Sequence, residues 1–275
     1  MAQSIQGLHG HLFLTDDTND VHAQISGRFD ISDGERSAIR RAHEERATHW
    51  DYRHVICPAK ESALRHLMPH GYGYETHGPC LARRLGGGFY EPDIIAHGFS
   101  KLDTHWTDVG ALDYLTAVLA RFQRSPSLPA TVVDVGLRMG DLGVKLGLAA
   151  ETVATVRCVN PTVTVIEEST IVNEGYHRIQ RSAASGRALV LHDSYAHNLF
   201  EILGEMYGET IFVHSPHLDL TAANAIQPDV IWFFQAERFM PRILSNDVTW
   251  AWRQDSPAWQ GMTVPAAKTG LPVPP

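Results

Sequence analysis

The chain reads as an α/β protein built on a mainly parallel sheet with helices on both faces. Two observations carry this reading. In the second half, apolar runs without polar alternation recur at 188–191, 210–213 and 229–234, and segments of helical character fill the gaps between them. Strands that do not alternate are buried on both sides, and a parallel sheet between two helix layers provides that environment. Near the N-terminus a capped helix leads into another short apolar strand, repeating the rhythm.

The elements follow in order. Gly7 and Gly10 punctuate a turn before a short strand at 11–14. Ser32-Asp33-Gly34-Glu35 has capping-box spacing, which predicts a helix from there to about Trp50. Residues 54–57, His-Val-Ile-Cys, form a short buried strand closed by Pro58. Segment 68–100, with Gly86-Gly87-Gly88 and three prolines, is a long irregular excursion of a length usually reserved for functional or mobile loops. Thr107 can cap a helix over 108–122, where Leu112, Leu115, Val118, Leu119 and Phe122 recur at helical spacing. A strand at 131–135 follows, then one or two more within 157–166, interrupted at Pro161. Helices at about 195–206 and 218–225 alternate with the three apolar strands already named. This makes one domain over 1–245, followed by a proline-rich tail, 246–275, expected to be extended.

Composition narrows the function classes. A formal charge of -8 over 275 residues, without any run of Lys and Arg, gives no attraction to phosphate backbones or anionic lipid, so nucleic acid is not an expected partner. Cys57, Cys80 and Cys158 are far apart and show no metal spacing, which fits a reducing compartment. The N-terminus lacks the features of a leader, and no stretch of about 18 apolar residues could span a bilayer. The expected location is cytoplasmic, or periplasmic if a leader has been removed.

Two segments carry candidate chemistry. Ser194, in Leu191-His192-Asp193-Ser194-Tyr195, falls just after a strand and at the start of a helix. In an open parallel sheet ligands bind at the carboxyl ends of the strands, and a helix start offers unpaired amides to an oxyanion. A serine there is either a nucleophile or a helix cap. A nucleophilic serine needs a base, commonly a histidine oriented by a carboxylate. Asp103-Thr104-His105-Trp106 can supply both, or can merely cap the following helix around a core tryptophan. Sixteen histidines are present, and His192, His197, His214 and His217 lie near Ser194 in sequence. None has the i, i+4 spacing with a glutamate of a helical zinc motif, so neither metal nor cofactor is expected.

Taken together these blocks resemble the SGNH-hydrolase-like domain of alginate O-acetyltransferases and related exopolysaccharide acetyltransferases. Gly7 to Phe13 is similar to that family's opening hairpin, and Val55 to Lys60 with Leu67-Met68-Pro69 to its strand and following turn. Asp103-Thr104-His105-Trp106-Thr107 with Gly110 resembles its most distinctive block; Asp141-Leu142-Gly143, Leu191 to Tyr195, Pro228-Asp229-Val230 and Glu237-Arg238 match later ones. Asp and His precede Ser, the reverse of ordinary SGNH hydrolases.

The resemblance implies a three-layer, flavodoxin-like SGNH fold with permuted motif order. It makes Ser194 the nucleophile, His105 the base and Asp103 its orienter. Tyr195 and Asn198 are candidates for a second oxyanion donor, and Lys60 and Arg238 for substrate contact. Glu237-Arg238 reads preferentially as a buried ion pair. The implied activity is transfer of an acetyl group to a carbohydrate hydroxyl through an acetyl-serine. Partners would be an acetyl donor, a carbohydrate acceptor and other polysaccharide-biosynthesis proteins. An acetylesterase using the same triad and a noncatalytic glycan-binding or assembly protein are the alternatives. In each, Tyr72, Tyr74, Phe89 and Tyr90 could stack on sugar rings or pack the glycine-rich loop.

Overall fold

The computed structural model describes residues 3–17, 19–25, 28–69, 88–95, 97–122 and 126–260. Tyr72, Tyr74, Cys80 and most of the glycine-rich excursion lie outside these residues. β1 (Gln3–Gln6) and β2 (Leu12–Asp16) pair as an antiparallel hairpin across a turn in which His9 and Gly10 take left-handed backbone angles. α1 (Val21–Ile25) is short. α2 (Asp33–His49) begins with the anticipated capping box: Glu35 N donates to Ser32 Oγ, and the Glu35 carboxylate accepts from Ser32 N. β3 (Tyr52–Cys57) follows, then α3 (Lys60–Ala63).

α4 (Asp108–Arg121) is capped by Thr107, whose Oγ1 accepts from Gly110 N. β4 (Thr131–Arg138) and β5 (Glu151–Cys158) pair as a separate antiparallel ribbon flanking α5 (Asp141–Lys145). The rest of the chain supplies β6 (Thr164–Glu168), β7 (His177–Arg181), β8 (Arg187–His192), α6 (Phe200–Met206), β9 (Glu209–His214), α7 (Leu220–Ile226), β10 (Val230–Ala236) and α8 (Pro257–Gln260).

The central sheet has the order β3-β10-β8-β9-β7-β6. Its first four strands run parallel, and β7 and β6 join antiparallel. Alternate residues of the parallel strands enter two cores. Val55, Val190, Phe212, Trp232 and Phe234 pack with Tyr114, Leu115 and Val118 of α4 and with Ile202, Leu203 and Met206 of α6. Ile56, Leu189, Leu191, Ile211, Ile231 and Phe233 pack on the other face with Ile39 and Ala42 of α2 and with Ala222, Ala223 and Ile226 of α7. This double burial is why the strands are apolar without alternation. β8, with β10 on one side and β9 on the other, places its carboxyl end at the crevice where an open α/β sheet binds ligands.

Several regions differ from the sequence reading, among them β5, which begins at Glu151 rather than within 157–166. β7, with the sequence His-Arg-Ile-Gln-Arg, carries too little apolar character to read as a strand, yet it buries Ile179 and Gln180 between β9 and β6. Residues 246–260, expected to begin an extended tail, instead make a 3₁₀ turn and α8 and pack Trp250 and Trp252 onto the second core. Burying two indoles there outweighs the low propensity that suggested an extended chain. Among the described residues, no helix is long and apolar enough to cross a membrane.

Candidate active site

Ser194 opens a 3₁₀ turn, Ser194–Leu199, directly beyond the carboxyl end of β8. The cap of that turn is Asp193, whose Oδ1 accepts from Tyr195 N, so Ser194 Oγ is released from capping. Asp193 also accepts from Ala236 N at the end of β10, which fixes the turn to the neighbouring strand. Burial pushes the Asp193 carboxyl up, against those amide hydrogen bonds and the nearby Arg238 charge, which pull it down.

The Asp103–Trp106 segment crosses the same crevice just ahead of α4. Its placement depends on two close backbone approaches that only glycine permits. A Cβ on Gly110 would meet Gly98 O at 2.5 Å, and one on Gly140 would meet Leu102 O at 2.1 Å. With Gly140 against Leu102, Asp141 comes into reach of Thr104: Oδ1 accepts from Thr104 N at 2.7 Å and Oδ2 from Thr104 Oγ1 at 2.9 Å. Lys60, fully buried, donates from Nζ to Lys101 O at 2.9 Å and to Asp103 O at 3.0 Å. Burial lowers its ammonium to about 8.

Within this frame three side chains form one hydrogen-bonded line. His105 Nε2 lies 2.8 Å from Ser194 Oγ, and His105 Nδ1 lies 2.8 Å from Asp103 Oδ1, which also accepts from His105 N at 2.8 Å. An ionised Asp103 only accepts, so Nδ1 carries the proton and Nε2 turns its lone pair to the serine hydroxyl. Burial alone would raise the Asp103 carboxyl, but hydrogen bonds and charge from His105 outweigh it and hold it at about 2. Thr107, not Asp103 or His105, caps α4. The His105 and Asp103 side chains are 26% and 15% exposed, so the line is sheltered but reachable.

Three hydrogen bonds join the two segments beside that line. Trp106 Nε1 donates to Tyr195 O, Tyr195 OH donates to Thr104 O, and Asn198 Nδ2 donates to Trp106 O, each at 2.8 Å.

These bonds redirect the other candidates. Tyr195 is buried and its hydroxyl is committed to Thr104, so it is not placed to donate to an oxyanion; Asn198 spends an amide proton on Trp106. Lys60 faces main-chain carbonyls inside the protein rather than a substrate. Arg238 lies over the Tyr195 ring, 5.7 Å from its centroid, and its Nε sits 3.6 Å from Asp17 Oδ2. Glu237 and Arg238 do not pair with each other: Glu237 accepts from Ala59 N at 2.9 Å and from Ser62 Oγ at 2.7 Å. Glu237 and Arg238 both lie in the 3₁₀ turn that follows β10, where successive side chains point about 120° apart and so reach separate partners. Phe89 extends the edge of β3, donating from N to His54 O and accepting from Ile56 N, and Tyr90 packs against the second core.

Asp193, Thr104 and Asp141 carry no role in the sequence reading; an Asp immediately before Ser194, at a turn start, is the signal that marks Asp193 as a cap.

A cleft of about 370 Å³ reaches His197, three residues past Ser194, and is lined also by Glu168, Asn173, Tyr176, Arg178 and Phe200. Ring nitrogens of His192, His197 and His214 lie within 4.8 Å of one another, whereas His217 stands apart and accepts from Ser245 N.

No family model matches the chain, and comparison with curated proteins gave no match. Solved structures similar to it include PatB1 of Bacillus cereus, at a TM-score of 0.59 and 14% identity over 88% of this chain and 100% of that one. A DHHW family protein of Eubacterium siraeum has a TM-score of 0.60 and 12% identity, over 87% of this chain and 95% of that one. The O-acetyltransferase domain of Pseudomonas putida AlgJ has a TM-score of 0.54 and 16% identity, over 94% and 97%. At these identities the likeness is one of fold, and it is the SGNH-like α/β fold expected from the sequence blocks.

Proposed function

We propose that the protein is a serine-dependent O-acetyltransferase that moves an acetyl group to a carbohydrate hydroxyl through an acetyl-serine. The observation that carries this reading is the unbroken line Asp103–His105–Ser194, with capping of the neighbouring turns assigned to Asp193 and Thr107. Both distances fall within the roughly 2.6 to 3.2 Å at which a base acts on a nucleophile. The likeness to the O-acetyltransferase domain of AlgJ supports the reaction class.

As Ser194 Oγ attacks the acetyl carbonyl, its proton passes to His105 Nε2 and the carbonyl oxygen becomes an oxyanion. The Ser194 amide, at the start of the turn, is the candidate donor to that oxyanion. Asp103 stabilises the resulting imidazolium through Nδ1–H. Collapse of the adduct expels the donor's leaving group, which takes the proton from Nε2, and leaves acetyl-serine. A sugar hydroxyl then enters, loses its proton to His105 and takes the acetyl group, restoring the serine hydroxyl. The open cleft beside His197, with Tyr176 as an aromatic wall, is where a sugar ring would lie.

A sulfonyl adduct is described for PatB1, which suggests the test. The full chain is treated with a sulfonyl fluoride or a small acetyl ester, and the modified peptide is identified by mass spectrometry. Label on Ser194, its absence in Ser194→Ala, and product in the presence of a carbohydrate acceptor are expected. A folded protein never acylated at Ser194 would refute the proposal. Acylation followed only by hydrolysis, whatever the acceptor, would make it an acetylesterase.

A further inference from the structure

We propose that His192, His197 and His214 form a binding site for a divalent transition-metal ion, zinc foremost, that ties the nucleophile turn to the end of β9. His192 closes β8 and His197 lies on the turn that Ser194 opens, so the two flank the nucleophile; His214 closes β9 alongside them.

Three observations converge. The first is spacing. Zinc bound to imidazole nitrogens at about 2.0 to 2.1 Å in tetrahedral geometry sets the ring centroids roughly 5 Å apart. The observed separations are 5.2 Å for His192–His214, 5.6 Å for His192–His197 and 6.1 Å for His197–His214. The two longer ones involve His197, the exposed member of the three.

The second is tautomer. His192 Nδ1 lies 2.8 Å from Asp193 O, and a carbonyl only accepts, so Nδ1 carries the proton and Nε2 presents a lone pair. Metal-ligating histidines are oriented in this way, by donating the other ring N–H to a carbonyl or carboxylate.

The third is an unmet need. His192 is 1% exposed, its Nε2 is buried with no hydrogen-bond partner, and His214 Nδ1 is buried and unpartnered too. Buried polar atoms are seldom left so, and an ion satisfies both at once. His192 and His214 also wall a cavity of about 30 Å³, room for a water, with Arg242 on its lining. Three neutral imidazoles with no thiolate suit Zn²⁺, Cu²⁺ and Ni²⁺ rather than Mg²⁺ or Ca²⁺.

The full chain is stripped with a chelator and titrated calorimetrically with Zn²⁺, and with Co²⁺ as a spectroscopic probe. One ion per chain and the visible absorption of four-coordinate Co²⁺ are expected, with a higher melting temperature in the ion's presence. His197→Ala, at an exposed position that spares the fold, and His214→Ala should each weaken binding by at least about 10- to 100-fold. His105→Ala should leave it intact, because the ion is not held by the Asp103–His105–Asp141 group, whose oxygens and ring nitrogen also lie close together. Failure of both ions to bind, unchanged binding in the His197 and His214 variants, or loss of binding in His105→Ala would each overturn the proposal.

Discussion

Replacing Tyr195 with Phe separates two roles for the residue next to Ser194. Its hydroxyl donates to Thr104 O at 2.8 Å, and both residues are nearly inaccessible, at 1% and 3% exposure. Tyr195→Phe keeps the ring in the core and removes only the donor. A buried carbonyl that loses its donor costs about 1 to 3 kcal/mol. In a chain of this size each kcal/mol lowers the melting temperature by roughly 2 to 4 °C, so a drop of several degrees is expected. The segment carrying His105 stays held by the Trp106 and Asn198 bonds, and acylation should slow by less than about tenfold. A hydroxyl acting on the oxyanion would behave oppositely, with a loss of about 10² to 10³ in kcat. Thermal melts paired with burst-phase acylation by a small acetyl ester distinguish the two. An unchanged melting temperature with a hundredfold slower burst would refute the structural role argued for Tyr195.

Other perturbations test the frame around the Asp103–His105–Ser194 line. Asp103→Asn should preserve the fold but reduce kcat by about 10⁴, because the amide no longer enforces the tautomer that turns the Nε2 lone pair to Ser194; a loss below tenfold would sink that account. Gly140→Ala forces a methyl to 2.1 Å from Leu102 O and should cost at least about 2 kcal/mol in urea unfolding, with acylation impaired through Asp141 and Thr104. A variant with wild-type stability and rate would mean the contact relaxes freely. Burial pushes the Glu237 carboxyl up to about 7 from its ordinary 4.5. Between those values the unfolded chain releases its proton first, so stability present below pH 4.5 is lost as pH rises towards 7, about 3 kcal/mol in all. Glu237→Gln should flatten this slope in denaturant melts at successive pH values; an equal slope in the variant would rule it out.

Much of this architecture is legible in the residues because its causes are local. The Ser32–Glu35 capping box, the Thr107 cap and the non-alternating strands each act through near neighbours or through uniform burial. β7 escaped because its burial comes from the two strands around it and leaves little trace in His-Arg-Ile-Gln-Arg. The turn of Trp250 and Trp252 onto the core is likewise a tertiary effect. At the site, Ser194 and His105 could be singled out from residue chemistry and family blocks. The assignments of Lys60, Tyr195 and Arg238 needed geometry, since a lysine serving main-chain carbonyls and one facing a substrate look alike in sequence. The meeting of His192 and His197 with His214 follows from the pairing of β8 with β9, which no local spacing encodes.

The three hydrogen bonds joining the Asp103–Trp106 segment to the Ser194 turn all end on main-chain carbonyls, those of Thr104, Trp106 and Tyr195. A carbonyl is offered by every residue type, so the fastening dictates the course of the backbone while leaving the side chain at position 104 outside it. The Thr104 side chain answers instead to Asp141. A change at position 104 should therefore be read together with position 141, its hydrogen-bond partner, and with the His105 ring, whose Nδ1 lies 3.3 Å from Thr104 Oγ1. Asp103, His105 and Trp106 are held through side-chain bonds of their own.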